Sequence, residues 1–391
     1  MPVPTDTVIA RPGQSDGTGS GSGGSWKAFR RLPAWYRGAR WAIQRVAWRM
    51  RGLEYALLAV ERELSSTVQV AWWRKPGLWR DGFLSESYVL YDLARNPRAH
   101  YLSDLDRSVS VRRINRDYGV VLDDKLVFEN VMGHGGIPRP VLFGCLKDGL
   151  VVPVRSGPPA TAFQDLLHSQ RALVLKPARG GGGRDVSVVS IAEGGTVLMN
   201  GRPTDTAEVI QSAAGLGVVL VYEAVRQHRA LDALFPDAVN TVRVLTMVDG
   251  NGEPFVARAV LRIGTTASQP TDNWIRGGLC AAVDLRNGAL GRAVQFPAND
   301  DELRWHDVHP DTGATISGTR VPDWDAVLET ALRAARAMPS TPYVGWDLAI
   351  SADGPVVIEG NSYSGVNLFQ VHEPLLIDRK IGRFFERQGV I

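Results

Sequence analysis

The residues best suited to chemistry lie in the stretch GWDLAISADGPVVIEGN. Two runs rich in Val, Ile and Leu flank Ala352–Gly354, which predicts a β-hairpin because glycine accepts the positive φ that ends a three-residue loop. In that register Ser351 lies opposite Pro355. Each step outward moves both strands by one residue, so Asp347 should lie opposite Glu359.

Side chains alternate between the two faces of a strand, so Asp347, Glu359 and Asn361 should share one face. The opposite face should take the apolar residues Leu348, Ile350, Val356 and Ile358. Two carboxylates and an amide oxygen suit Mg²⁺, whereas like charges facing each other without a cation destabilise a sheet. The hairpin therefore indicates a magnesium site, and a surface hairpin with solvated acids is the alternative.

A second candidate site is a lysine followed by a glycine-rich loop in LVLKPARGGGGRDVSVV. Lys176 ends an apolar strand, and glycines let backbone N–H groups approach phosphate oxygens closely. The loop consists of Gly180, Gly181, Gly182 and Gly183. It is not a P-loop, because it runs into a strand and no Gly-Lys-Ser/Thr follows. The alternative is a flexible surface hairpin.

Further residues lie where strands and helices begin or end. Lys125 starts a helix after two aspartates, and Glu223 ends the apolar strand VVLVYE, where the backbone of Ala224 and Val225 could pair with a purine edge. Lys125 as a solvated lysine and Glu223 as a partly exposed acid are the alternatives.

Arginines on two neighbouring strands suggest stabilisation of phosphoryl charge. Arg243 lies in VNTVRVLTMV, and Arg258 and Arg262 should share one face of the next strand. An arginine that faces a nucleotide cleft stabilises charge on a transferring phosphoryl group. Each could instead be an ordinary surface cation. Asn273, in the loop TDNWIRGG, is a candidate substrate contact, as are Ser362 and Ser364 after the hairpin.

The elements that must position these residues are short strands and helices. We predict strands at 141–146, 172–177, 185–191, 217–223, 241–249, 254–263 and 279–285, and helices at 165–169, 206–214 and 323–338. Residues 75–115 read as mostly helical. This mixture of short strands and helices after a mostly helical region predicts an α+β protein with a helical N-terminal layer.

Composition limits the class of protein. The chain has 391 residues, 44% of them hydrophobic and 22% charged, which is ordinary for a globular protein. A net charge of +3 gives no reason to expect nucleic acid as a partner. Two cysteines, Cys145 and Cys280, provide neither a zinc spacing nor a disulfide framework. We expect a cytoplasmic protein, with peripheral membrane contact as an alternative.

The N-terminal region changes character twice. Residues 1–25 are rich in Pro, Gly, Ser and Thr, which predicts a disordered tail. Residues 26–51 carry eight Lys and Arg and no acid, interleaved with tryptophans. They predict a basic amphipathic helix, which either packs on its own domain or lies on an anionic membrane or an acidic partner.

The order of these features resembles the ATP-grasp superfamily, and NTVRV, DNW, GWDLAI and IEGN are similar to its sugar-transfer-associated, α-L-glutamate ligase-like branch. The resemblance implies an ATP-grasp fold with a helical N-terminal extension. It implies these divisions: 1–25 tail, 26–115 helical layer, 116–170 N-terminal subdomain, 171–226 lid, and 227–391 C-terminal subdomain with the metal site.

The resemblance also implies site roles. Lys125 and Lys176 would contact ATP phosphates, the 179–184 loop would cover the triphosphate, and Arg243, Lys176 and Arg262 would support catalysis. Glu223, Ala224 and Val225 would hold adenine, and Asp347, Glu359 and Asn361 would hold one or two Mg²⁺ ions.

The implied activity is ligation of a carboxylate, activated as an acyl phosphate, to an amine or another nucleophile, with release of ADP and phosphate. The implied setting is biosynthesis of a natural product or of a cell-surface or peptide-type metabolite. Two alternatives stay open at this point: a small-molecule kinase, and a nucleotide-binding, membrane-associated partner protein without turnover.

Overall fold

The computed structural model describes residues 70–154, 159–180, 185–297 and 302–391, preceded by residues 56, 59–64, 66 and 68. The predicted tail 1–25, the basic segment 26–51 and the glycines Gly181, Gly182 and Gly183 lie outside the described residues. Tyr55–Ile391 forms one compact unit. Among the described residues, no helix combines the length and apolar character needed to cross a bilayer.

The first sheet, called sheet A, has eight strands that pair antiparallel with their neighbours. The strands are β1 (Leu142–Lys147), β2 (Leu150–Val152), β3 (Thr161–Ala162), β4 (Ala172–Pro177), β5 (Ser187–Ile191), β6 (Val197–Met199), β7 (Arg202–Thr204) and β8 (Val219–Glu223). Their order is β3-β2-β1-β8-β4-β5-β6-β7. Because Leu173 of β4 pairs with Glu223 of β8, Lys176 and Glu223 mark opposite ends of one strand pair.

The second sheet, sheet B, has seven antiparallel strands. They are β9 (Thr241–Val248), β10 (Pro254–Ile263), β11 (Leu279–Val283), β12 (Leu290–Gln295), β13 (Arg304–His306), β14 (Tyr343–Ser351) and β15 (Gly354–Asn361). Their order is β13-β12-β11-β10-β9-β14-β15. Since β14 lies between β9 and β15, Asp347 has Arg243 as its neighbour on one side and Glu359 on the other.

Helices surround both sheets. They are α1 (Lys75–Arg80), α2 (Ser85–Leu90), α3 (Val120–Asp123), α4 (Lys125–His134), α5 (Phe163–Gln170), α6 (Thr206–Ala214), α7 (Arg229–Asp232), α8 (Trp324–Ala337), α9 (Asn367–Gln370) and α10 (Arg379–Arg387). Short 3₁₀ segments occupy Arg98–His100, Val111–Arg113, Arg116–Gly119 and Trp274–Arg276, and a π turn occupies Asp106–Ser110.

Sheet B has an apolar core on each of its two faces. On one face, Trp346 and Leu348 pack with residues of α8 such as Val327 and Ala331, whose four-residue spacing keeps one stripe on the sheet. On the other face, Tyr343 packs with Phe384 of α10. A charged side chain in a strand that is buried on both faces is unfavourable unless it is paired. The charged residue in the middle of β14, Asp347, therefore needs specific partners.

The 343–361 hairpin confirms the predicted pairing of Asp347 with Glu359, but its turn and its register differ from those predicted. Ser351 pairs with Gly354, not with Pro355, so the loop is one residue shorter than predicted. An irregularity beside Leu348 then shifts the register by one residue and restores the predicted acidic pair.

The same shift corrects the predicted faces of β15. Val357, not Val356 or Ile358, joins Leu348 and Ile350 in the core, and Ile358 lines the large cleft together with Glu359. A β-bulge places consecutive residues on one side of a strand, which simple alternation does not anticipate.

The predicted subdomain boundaries stay predictions. Strands from the ranges 142–162 and 172–223 lie together in sheet A, and the strands after residue 240 form sheet B.

His372, which follows α9, should make stability depend on pH. Burial lowers the pKa of this imidazole to about 4, although a contact with the backbone of Cys280 partly offsets the effect. The folded pKa lies below the unfolded value, so the stabilisation is complete above about pH 6.5 and is lost as the pH falls towards 4. Between pH 7 and pH 4, this residue should account for roughly 2–3 kcal/mol of lost unfolding free energy.

The measurement is urea unfolding across that pH range for the parent protein and for His372→Phe. The variant keeps a ring beside Trp305, whose ring centroid lies 5.5 Å from that of His372, but it cannot take up a proton. We expect a shallower fall in stability on acidification for the variant. Parallel curves for the two proteins would contradict this assignment.

Candidate active site

A cleft of about 1810 Å³ lies where the two sheets meet. Its walls include Lys176 and Glu223 from sheet A, and Arg243, Asp347 and Glu359 from sheet B. The other predicted site residues on its surface are Lys125, Gly180, Val225, Arg262, Asn273 and Asn361. Residues separated by more than 200 positions in sequence are thus brought to one site.

Asp347 lies at the centre of the charged floor and is only 1% exposed. Arg243 donates to both oxygens of its carboxylate, through Nε to Oδ1 and through Nη2 to Oδ2, the latter at 2.7 Å. Arg262 Nη2 lies 3.2 Å from Oδ2. Burial alone would raise the pKa of Asp347, but the two guanidinium groups outweigh it and hold the pKa well below its usual range.

Glu359 faces Asp347 from the neighbouring strand. Burial, together with the charge of Asp347 and a hydrogen bond between the two carboxyl groups, raises the pKa of Glu359. Asn361 lies beside the pair: its Nδ2 donates to the carbonyl of Gly345 at 3.2 Å and lies 3.5 Å from Glu359 Oε1. The three predicted side chains therefore lie together, and Asn361 turns its amide nitrogen towards Glu359.

Lys176 places an ammonium group near this trio from the opposite sheet. Burial lowers its pKa, while the charge of Glu359 acts in the opposite direction. The ammonium lies 5.3 Å from the centre of the Tyr222 ring. A half-buried cation on the cleft wall is suited to meet negative charge that enters the cleft.

Arg262 is held by a second acid that sequence analysis did not assign. Its Nη2 donates to Thr241 Oγ1 at 2.7 Å and lies 3.1 Å from Asp272 Oδ1. Asp272 also accepts from the backbone N–H of Thr241 at 2.9 Å. The sequence signal was present, because Asp272 directly precedes Asn273 in TDNW, but no spacing rule connects that loop with β9.

Lys125 is confirmed at the start of a helix. This N-terminal end of α4 contacts the loop that follows β4 of sheet A. Asp124 caps α4 by accepting from the N–H groups of Leu126 and Val127, and also accepts from Arg179 Nε at 3.1 Å. Lys125 Nζ donates to the carbonyl of Gly180 at 3.0 Å. The first residue of the glycine loop, with φ of +118°, is thereby fixed beside the helix.

The other end of the strand pair carries apolar side chains that face the cleft. Val174 of β4 and Tyr222 of β8 are paired there, and both line the cleft. Glu223 accepts from the N–H of Val141 at 3.3 Å through Oε2 and donates its own backbone N–H to the Val141 carbonyl at 2.9 Å.

Three predicted residues are not brought to the cleft surface. Ala224 does not line it, although Glu223 and Val225 do. Ser362 lines a neighbouring cavity of about 320 Å³ and donates to Asp123 at 2.8 Å. Ser364 is buried against Gly345, because the chain turns back beneath β14 after residue 361, so its position gives no support to a substrate contact.

A family model described as sugar-transfer associated ATP-grasp matches residues 108–382. The chain belongs to this family. The ATP-grasp fold and the branch indicated by NTVRV, GWDLAI and IEGN are thereby confirmed. No curated protein matches the sequence.

Among solved structures, the chain is similar to the following three proteins. A biotin carboxylase–β-γ-ATP complex from Campylobacter jejuni is 14% identical over 69% of this chain and 47% of that chain, with a TM-score of 0.42. The D-alanine-D-alanine ligase from Coxiella burnetii is 12% identical over 69% of this chain and 59% of that chain, with a TM-score of 0.37. An L-amino acid ligase from Bacillus licheniformis is 12% identical over 69% of this chain and 48% of that chain, with a TM-score of 0.37. The chain spans about half the length of these proteins.

ATP-grasp proteins use ATP and Mg²⁺, and the residues present fit both. Two buried carboxyl groups in contact are unfavourable when both are ionised, as the raised pKa of Glu359 reflects, and a cation between them removes that penalty. Among the described residues, no group of three or more acidic, histidine or cysteine side chains is arranged to hold a metal ion. Two carboxylates and an amide suit Mg²⁺, which uses few protein ligands and completes its shell with phosphate and water oxygens.

Proposed function

We propose that this ATP-grasp protein is an ADP-forming ligase that activates a carboxylate as an acyl phosphate and transfers the acyl group to an amine. The observation that carries the proposal is the convergence of Asp347, Glu359 and Asn361 with Lys176 across one cleft. Bound Mg²⁺ would supply charge neutralisation for the phosphates.

The strand pair β4–β8 supports a nucleotide aligned along it. Leu173 pairs with Glu223 and lies three residues from Lys176, a separation of roughly 10 Å at strand spacing. Glu223, with the backbone of Ala224 and Val225, would bind adenine at one end of the pair. Lys176 would meet the phosphates at the other end, and Lys125 would meet them from α4.

The two arginines of sheet B have distinct proposed roles. Arg243 holds Asp347 through both oxygens, so it would orient that ligand and lie beside the phosphoryl group in transfer. Arg262 is anchored by Asp272 and Thr241, so it would add a fixed positive charge. Asn273 lines the cleft at the start of the adjoining 3₁₀ turn and is the better placed of the proposed substrate contacts.

The reaction needs no nucleophilic side chain. The substrate carboxylate attacks the γ-phosphorus, the bond from that phosphorus to the bridging oxygen of ADP breaks, and the amine then displaces phosphate from the acyl carbon. The residues contribute binding, orientation and positive charge. The similar structures include a D-alanine-D-alanine ligase and an L-amino acid ligase, so small amino acids are the first compounds to screen.

An isotope experiment tests the proposal. Carboxylate candidates labelled with ¹⁸O are incubated with ATP, Mg²⁺ and amine candidates, and the products are analysed by mass spectrometry. We expect ADP, an amide, and phosphate that carries one ¹⁸O atom from the carboxylate. Glu359→Gln should abolish the Mg²⁺-dependent reaction, whereas Glu329→Gln, which removes an exposed acid paired with Arg336, should not change it.

Other results would identify the alternatives. A stable phosphorylated product without free phosphate would show a kinase. Bound nucleotide with no ADP formed under any condition would show a binding protein without turnover.

A further inference from the structure

Tryptophan is distributed unevenly between the surface and the interior. Trp72 is 76% exposed, Trp73 65% and Trp79 38%. The described tryptophans later in the chain behave differently: Trp274, Trp324 and Trp346 are buried, and Trp305 packs against the core of sheet B. Large aromatic side chains on a surface indicate a contact that the isolated chain does not satisfy.

A second exposed apolar group lies on the element beside them. Residues 59–64 are helical, and Val60 and Leu64, four residues apart on one face, are 52% and 83% exposed. Glu63, on another face of the same helix, pairs with Lys75 at 2.7 Å and accepts from Trp79 Nε1 at 3.5 Å. These contacts hold the helix and α1 side by side, so the five apolar side chains belong to one region. We call it the tryptophan patch: Val60, Leu64, Trp72, Trp73 and Trp79.

In the sequence, basic residues are concentrated in the stretch that leads into the patch, most of which lies outside the described residues. The segment 26–80 contains twelve Lys and Arg and three acidic residues, a net charge of +9, and seven of the eleven tryptophans. The whole chain carries +3, so the remaining residues carry −6. A net positive charge combined with several tryptophans is typical of segments that bind the interface of an anionic membrane, where tryptophan is enriched and basic side chains meet lipid phosphates.

We propose that the tryptophan patch docks this protein on an anionic membrane surface, with Trp72 and Trp73 inserted at the level of the lipid headgroups. The excess of basic residues along segment 26–80 supplies the attraction to anionic lipids. The rings of Trp72 and Trp73 meet edge to face, with centroids 6.0 Å apart, and form one aromatic projection. This inference rests on surface and charge alone and is independent of the proposed ligase activity.

Vesicle co-sedimentation of the full-length protein tests the inference. The vesicles contain phosphatidylcholine alone or with about a third phosphatidylserine, a composition that supplies the negative surface charge. The parent protein should bind the anionic vesicles, and added salt should weaken that binding. The double variant Trp72→Ser/Trp73→Ser should bind about tenfold more weakly or worse.

A matched control removes exposed apolar residues elsewhere. Leu216→Ser/Val218→Ser changes side chains that are 38% and 53% exposed between α6 and β8, and it should bind vesicles like the parent. Both double variants should keep the melting temperature of the parent, because the altered side chains are exposed.

Three results would overturn the proposal. The first is unchanged vesicle binding by the tryptophan variant. The second is equal binding to neutral and anionic vesicles. The third is no vesicle binding by the parent together with binding to polyglutamate, which would assign the patch to an acidic protein. Brominated lipids give a further readout: they should quench the tryptophan fluorescence of the parent more than that of the tryptophan variant.

Discussion

Replacing Asp347 by asparagine should slow Mg²⁺-dependent ADP formation by about a thousandfold and also destabilise the fold by about 3 kcal/mol. The two effects have one origin. Asp347 is a proposed metal ligand, and it is also the partner that balances Arg243 in a position where the arginine is only 7% exposed. Without the carboxylate, the guanidinium stays buried with a neutral amide in place of an anion.

A double variant separates the structural role from the catalytic one. Arg243→Met combined with Asp347→Leu replaces the buried ion pair by apolar side chains, which is often close to neutral for stability. We expect the double variant to recover most of the unfolding free energy lost in Asp347→Asn while ADP formation stays abolished. Full activity in either variant would refute the proposed site, and unchanged stability in Asp347→Asn would refute the structural role of the pair.

Replacing Lys176 by methionine should raise the KM for ATP and lower kcat, with a combined loss of about a hundredfold or more in kcat/KM. The reason is that the half-buried ammonium is proposed to meet the phosphates and to stabilise charge as it develops. Burial lowers the pKa of this lysine, so the protein tolerates its charge at a cost. Methionine removes that cost, and the unfolding free energy should stay the same or rise.

The matched control is Lys147→Met, which removes an exposed lysine from β1 of the same sheet. Steady-state kinetics and urea unfolding of both variants provide the test. Loss of stability in Lys176→Met with an unchanged KM for ATP would show that the lysine supports the fold and does not bind nucleotide. Lys176→Arg should recover part of the activity if positive charge is what the site requires.

Local patterns in the sequence predicted much of sheet B and the centre of sheet A. The strands at 172–177 and 254–263 and the helix at 206–214 agree with the structure in their bounds, because long apolar or periodic runs leave little ambiguity. The short strands β2, β3, β7, β12 and β13 were not predicted. All of them except β12 have only two or three residues, too few alternating positions to stand out in the sequence, and pairing with neighbouring strands defines them.

The prediction that Arg258 and Arg262 share one face of β10 shows a similar limit of local sequence patterns. Arg258 and Arg262 do lie on one face of β10, as alternation requires, but they serve different neighbours. Arg258 pairs with Glu373 and Asp378 near α10, whereas Arg262 points to the cleft and pairs with Asp272 and Asp347. Alternation determines the side of a sheet, and the elements packed on that side determine what each residue contacts.

The sequence by itself determined that Asp347 and Glu359 would lie on adjacent strands of one hairpin, because two apolar strands joined by a tight turn have few possible registers. Only the tertiary structure decided the rest of the site. The pairing of β14 with β9 brought Arg243 against Asp347, and the position of sheet A across the cleft brought Lys176 towards Glu359. A bulge in β15 corrected a register that the turn alone would have left one residue out. Such long-range contacts depend on which strands become neighbours, and local residue patterns do not encode that choice.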